Sequence, residues 1–106
     1  MARFRASLLE RMTSGDLSED NLARDLHMSR RSLQRRLAEA EATYQSLVDE
    51  TRRDMALRYL DDPGKSATDI AFLLGYSQQS AFTRAFRRWT GMSPGTFRRR
   101  ARAIPT

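Results

Sequence analysis

The 106-residue chain contains no cysteine. That absence removes disulfide scaffolds, thiolate metal knuckles and thiol catalysis together, and it fits a reducing compartment. Histidine occurs once, as His27, with no glycine-rich phosphate loop and no cluster of carboxylates to work with it. No constellation for nucleophilic, acid–base or metal-assisted chemistry is left, so neither an enzyme nor a cofactor or metal site is expected. The pair Asp61-Asp62 stands beside Pro63-Gly64 and reads as the end of a helix rather than a metal ligand set. No apolar run approaches the roughly 20 residues of a membrane span. The start, Met1-Ala2-Arg3-Phe4-Arg5, lacks the long apolar stretch of a signal peptide. The expectation is a cytoplasmic protein with no membrane contact.

Lysine is also scarce: Lys65 is the only one among 19 basic residues, which face 13 acidic ones for a net charge of +6. The rest are arginine, whose planar fork grips phosphate or a guanine edge with two hydrogen bonds, so the excess points to an anionic partner such as nucleic acid. At this length there is room for one compact domain or two very small ones. The charge is not scattered. Residues 29–38 carry +4 and residues 79–106 carry +7 with no acid at all, while residues 39–62 between them carry −4.

An internal repeat explains the two basic blocks. At an offset of 48, Ser18 falls on Ser66, Leu22 on Ile70, Ala23 on Ala71, Leu26 on Leu74 and Ser29 on Ser77. Beyond that serine the offset is 49, with Leu33 on Phe82, Arg35 on Arg84 and Leu37 on Phe86. Ser18 and Ser66 each cap a short helix, Asp69 completing a capping box with Ser66. A break follows at His27-Met28 in copy one and at Gly75-Tyr76 in copy two, where glycine takes the left-handed conformation that ends a helix. Ser29 and Ser77 then cap a second helix. Helix, short turn and capped helix is the layout of a helix-turn-helix unit, and Ala23 and Ala71 give the room its steep crossing needs.

On the second helices the apolar pairs Leu33/Leu37 and Phe82/Phe86 mark the core side. Arg31, Gln34 and Arg35 then face outward in copy one, and Gln79, Ser80, Thr83 and Arg84 in copy two. Arginine pairs with guanine, glutamine with adenine, and serine or threonine with either, and no carboxylate interrupts these faces. They are the expected base-reading residues. Arg30, Arg36, Arg87 and Arg88 on the flanks, with Ser29 and Ser77 at the helix starts, are the expected phosphate contacts.

Between the copies, Tyr44, Leu47, Val48, Met55, Ala56, Tyr59 and Leu60 recur at helical spacing without proline or glycine, which predicts one long helix ended by Asp62-Pro63-Gly64. About 17 residues make a rod on the order of 25 Å, long enough to serve two recognition helices in successive major grooves about 34 Å apart. Phe4, Leu8, Leu9 and Met12 outline a first helix. Gly91 ends the second recognition helix, Ser93 caps a last one beginning at Pro94, and Phe97 returns to the core. Arg98, Arg99, Arg100 and Arg102 read as a solvated cationic tail. The fold expected is all-α, about seven helices, with a first helix-turn-helix subdomain over 1–42, a linker helix over 43–62 and a second subdomain over 63–106.

Nearly the whole chain, from about Leu8 to Arg99, resembles the DNA-binding domain of the AraC/XylS transcriptional regulators. The most specific stretches are Asp69-Ile70-Ala71, Leu74-Gly75-Tyr76-Ser77, Phe82-Thr83-Arg84-Ala85-Phe86-Arg87-Arg88, and Gly91-Met92-Ser93-Pro94 with Phe97-Arg98. Leu22-Ala23, Met28-Ser29 and Leu33-Gln34-Arg35-Arg36-Leu37 resemble the family's first helix-turn-helix. The resemblance implies sequence-specific binding to double-stranded promoter DNA, an activator's contact with RNA polymerase, and location at the nucleoid when DNA-bound. It places the same base-facing sets at Arg31, Gln34, Arg35 and at Gln79, Ser80, Thr83, Arg84. Most members also carry an effector-binding or dimerisation domain, so this chain reads as the C-terminal part of a longer regulator. The alternative is a basic helical RNA-binding module. Such modules usually stack bases on aromatic rings, whereas Phe82, Phe86 and Trp89 here fall on the core side.

Overall fold

The computed structural model describes residues 2–14 and 17–103. Within them the protein is all-helical, with seven helices and no strand. They are α1 (Ala2–Met12), α2 (Glu19–Asp25), α3 (Arg30–Glu39), α4 (Tyr44–Leu60), α5 (Ala67–Leu73), α6 (Gln79–Thr90) and α7 (Pro94–Ala103). The chain divides into two compact units, Met1–Arg52 and Arg53–Thr106, and the division falls inside α4.

In the first unit α1 buries Phe4, Leu8 and Met12, a spacing of four that runs one stripe down the helix. Leu9, one position off that stripe, is exposed. The stripe packs on α2, and α2 packs on α3. Leu22, Ala23, Leu26, Leu33, Leu37 and Leu47 complete a core in which every one of these side chains is at most 3% exposed. Burying a leucine fully is worth roughly 1.5–3 kcal/mol, so these residues bring otherwise marginal helices of seven and ten residues together.

The second unit repeats the plan with aromatic residues. Ile70, Ala71, Leu74, Phe82, Ala85 and Phe86 are buried, and α5 packs on α6 as α6 packs on α7. Phe86 is the hub: its ring meets those of Phe82, Trp89 and Phe97 edge-on, with centroids 5.8, 6.2 and 5.4 Å away. These are the tilted arrangements that the ring quadrupole favours.

The helix starts follow the serines at four of five places, and at α7 the Ser93 hydroxyl accepts the Thr96 N–H at 3.2 Å. The Ser18 hydroxyl accepts the Asn21 N–H at 3.0 Å and that of Ser29 accepts the Ser32 N–H at 3.1 Å. At α5 the capping box is complete, with the Asp69 N–H donating to Ser66 Oγ and the Ser66 N–H to Asp69 Oδ2. Ser77 is the exception and corrects the reading above. The cap of α6 is Gln78, in extended conformation and without a side-chain cap bond. The residue inserted in the second copy lies between the serine and the helix, so Ser77 is one position too early to reach the free N–H groups.

The turns inside the two copies close identically. In copy one the Met28 N–H reaches Ala23 O and the His27 N–H reaches Arg24 O; in copy two the Tyr76 N–H reaches Ala71 O and the Gly75 N–H reaches Phe72 O. This is the paired bonding of a Schellman end, which needs a left-handed residue after the cap. His27 supplies it at φ 56° and Gly75 at φ 83°. α3 ends in the same way, with Glu41 at φ 58° and the Ala42 N–H on Leu37 O, and Gly91 at φ 83° ends α6.

The long helix starts at Tyr44, where Thr43 and Ser46 exchange backbone-to-hydroxyl hydrogen bonds of 3.0 and 2.9 Å, a cap that apolar spacing did not mark. Its buried positions are Leu47, Thr51, Ala56 and Leu60. Thr51 is absent from the apolar pattern, and its hydroxyl is satisfied in place by the Leu47 carbonyl at 2.7 Å. After Leu60 the Asp62 carboxylate takes the Gly64 N–H at 2.9 Å and the Lys65 ammonium at 2.6 Å, which turns the chain into the second copy.

Candidate nucleic-acid interface

The recognition faces are built by the same helices that build the cores. On α3, Leu33 and Leu37 are buried, and their burial forces Arg31, Gln34 and Arg35 to the outside, where all three are exposed. Arg36, on the flank, is exposed as well. On α6 the buried residues are Phe82, Ala85 and Phe86, while Gln79, Ser80, Arg84, Arg87 and Arg88 are exposed and Thr83 is half-buried. Ser29 and Ser77, at the turns, are exposed. Each unit thus gathers its own expected base-facing residues onto one helix surface.

Neither α3 before Glu39 nor any part of α6 contains a carboxylate, so both surfaces are electropositive where they leave the core. Among the described residues no carboxylate pairs with Arg31, Arg35, Arg84 or Arg87. A guanidinium without an internal partner keeps its donors for phosphate or a base edge. Arg30 is different. Its Nε lies 3.1 Å from Glu19 Oε2 and its Nη1 3.7 Å from Asp20 Oδ1, both on α2. Glu19 Oε2 also accepts the Gln34 amide at 3.1 Å. In copy two the corresponding link is uncharged: the Thr68 hydroxyl on α5 donates to Gln79 Oε1 at 2.6 Å, and the Ser80 hydroxyl lies 3.4 Å from Gln78 Oε1.

Arg98 does not belong to a solvated tail. Its Nε donates to Leu60 O and its Nη2 to Asp62 O, both at 3.2 Å, so it closes the open carbonyl end of α4. Sequence pattern grouped it with its neighbours because nothing local signals a bond to a residue 38 positions away. Arg99 and Arg100 remain exposed, as does Arg102.

No helix among the described residues is long and apolar enough to cross a membrane, and they contain no metal-binding group of His, Cys, Asp or Glu.

A family model described as a helix-turn-helix domain matches residues 22–100. The chain is 42% identical over 99 residues to the ornithine utilization regulator of Pseudomonas aeruginosa, and 45% identical over 87 residues to the HTH-type transcriptional regulator VirS of Mycobacterium tuberculosis. Those alignments cover 92% and 82% of this chain but only 29% and 26% of the two regulators. The chain therefore spans under a third of the length of these curated relatives. Among solved structures it superposes on a DNA-binding transcriptional dual regulator from Escherichia coli K-12 with a TM-score of 0.82 and 27% identity, over 95% of this chain and 94% of that one. It superposes on the DNA-binding domain of AdpA, a global transcriptional factor crystallised with a target DNA, with a TM-score of 0.79 and 31% identity, over 96% and 92% of the two chains.

Proposed function

We propose, since this chain belongs to the AraC/XylS family of helix-turn-helix DNA-binding domains, that it reads a promoter duplex by inserting α3 and α6 into successive major grooves. The observation that carries the reading is the same in each unit. The helix following the tight turn buries one apolar stripe and presents an exposed, carboxylate-free face of arginine with glutamine, serine or threonine. An α-helix fits the major groove, and this set of donors and acceptors matches its edge pattern. In this reading Arg31, Gln34 and Arg35 on α3, and Gln79, Ser80, Thr83 and Arg84 on α6, contact bases. Arg36, Arg87, Arg88 and the turn serines Ser29 and Ser77 set the register on phosphates, and Arg30 reaches phosphate from within its ion pair. The solved complex of AdpA with a target DNA supports the duplex as partner. Phe82 and Phe86 are fully buried, so neither offers single-stranded bases a stacking platform.

Selection of bound duplexes from a random pool tests this. The expected motif has two half-sites, each confined to a single groove face. Arg35→Ala and Arg84→Ala each relax base preference in one half-site, by about 1–3 kcal/mol at the affected position. Arg87→Ala weakens all sequences alike and lowers the salt slope by roughly one phosphate's share, about 0.9. Equal losses on selected and random duplexes for Arg35→Ala and Arg84→Ala would sink the base-reading assignment.

A further inference from the structure

We propose that Glu19 is a specificity-determining positioning residue: it orients the amide of Gln34 so that α3 selects a base that donates a hydrogen bond at that point of the groove. The inference rests on the base-reading role of α3 proposed above.

Glu19 is the first residue of α2, directly after the Ser18 cap. Its side chain is only 17% exposed, against 59% for Arg30. One of its oxygens, Oε2, lies 3.1 Å from Arg30 Nε and 3.1 Å from Gln34 Nε2. A carboxylate only accepts. The group of Gln34 that faces it must therefore be the NH₂, and the planar amide then turns its carbonyl oxygen the other way. Without Glu19 the amide flips freely and offers the groove a donor or an acceptor. With Glu19 in place one N–H of the amide is taken and its carbonyl oxygen is held away from the carboxylate, free to accept. In the major groove adenine N6 and cytosine N4 donate, whereas guanine N7 and O6 and thymine O4 only accept. The oriented carbonyl accordingly favours adenine or cytosine, whose exocyclic amino groups donate to it, and finds only acceptors at guanine or thymine.

The carboxylate does not repel the phosphate backbone, because Arg30 neutralises it at contact distance and is itself drawn toward α2 by Asp20. The second copy has no counterpart of this pair at the aligned positions. Ala67 stands where the repeat aligns Glu19, and Thr83 where it aligns Gln34, so neither the acceptor nor the amide is present. The hydroxyl of Thr68 instead engages Gln79 at the start of α6.

The test compares the unmodified 106-residue protein with Gln34→Ala, Glu19→Ala and Glu19→Gln by selection from a random duplex pool, and reads melting temperature beside it. The position read by Gln34 is the one whose profile Gln34→Ala erases. There the unmodified protein prefers adenine or cytosine by about tenfold, Glu19→Ala brings guanine or thymine within about threefold, and Glu19→Gln, whose carbonyl still accepts, keeps most of the preference. A profile unchanged by Glu19→Ala while Gln34→Ala erases it overturns the role of Glu19, even if melting temperature and affinity fall for all sequences, since that is the behaviour of a helix-start residue alone. A guanine or thymine preference at that position in the unmodified protein overturns it as well. A profile that Gln34→Ala leaves intact, or the absence of any selected motif, refutes base reading by α3 itself and the inference with it.

Discussion

Replacing His27 by glycine should stabilise the first unit, although it removes a side chain. His27 sits at φ 56° and Glu41 at φ 58°, each the left-handed residue of a Schellman end, and the second unit uses Gly75 and Gly91 for the corresponding helix ends at φ 83°. A side-chain-bearing residue pays roughly 1–2 kcal/mol in this conformation because Cβ crowds the following carbonyl. Glycine avoids that cost but loses about 0.5–1 kcal/mol more backbone freedom on folding. The difference leaves a net gain of about 0.5–1 kcal/mol for His27→Gly. Both His27 and Glu41 are exposed, so no buried contact is lost in either change. The two residues end different helices, and the double variant should gain the sum, about 1–2 kcal/mol. Thermal melting followed by far-ultraviolet circular dichroism reads this as a rise of roughly 2–6 °C for His27→Gly. The mirror experiment is Gly91→Ala: the added Cβ meets nothing within 4 Å, so the loss there is backbone strain less the freedom glycine gives up, about 0.5–1 kcal/mol. A melting temperature that falls for His27→Gly, or that stays level for both His27→Gly and Gly91→Ala, would refute the strain argument.

Three other outcomes follow from the same structure. Phe82→Ala, at a fully buried position between Tyr76 and Phe86, should cost about 3–5 kcal/mol and unfold the second unit, seen as loss of the aromatic near-ultraviolet signal. Arg98→Met keeps the aliphatic stem but removes the side-chain donor from the Leu60 carbonyl and leaves the Asp62 carbonyl with the Lys65 N–H alone; denaturant unfolding should show a loss of about 1.5–3 kcal/mol, typical of a hydrogen bond to a charged group, and an unchanged midpoint would show that water replaces it. The carboxyls of Asp69, Asp25 and Asp62 are all held below the usual carboxylate range, chiefly by the Ser66 N–H, by the Arg11 guanidinium and by the Lys65 ammonium respectively. A depressed folded-state value means stabilisation that is complete above the unfolded value of about 4 and is lost as pH falls through the folded values. Melting temperature should therefore hold from pH 7 to about 5 and drop below about 4, and Asp69→Asn, which keeps an acceptor but no charge, should make that drop shallower; a parallel curve would remove Asp69 from the acid response.

Much of this was legible because helix ends are coded locally. A serine followed by three free N–H groups is a cap wherever the chain goes, and Ser18, Ser29 and Ser66 behaved accordingly. The exposed faces of α3 and α6 were legible for a related reason: once Leu33, Leu37, Phe82 and Phe86 point inward, the helical repeat of 3.6 leaves Arg35 and Arg84 nowhere else to go. Ser77 failed because one inserted residue shifts the helix start without changing any residue type. Thr51 was hidden because a hydroxyl bonded to the carbonyl one turn back buries like an apolar group.

By itself, then, the sequence determined the helices, the repeated turn and the faces that carry arginine, since each depends on contacts within about one or two turns. Tertiary structure alone decided which polar groups are already spoken for. Arg98 belongs to the end of α4, Arg30 to α2, and the Gln34 amide to Glu19, across separations of 38, 11 and 15 positions. The reason is physical: a hydrogen bond between elements depends on where packing has placed two side chains in space, and no local spacing encodes that distance.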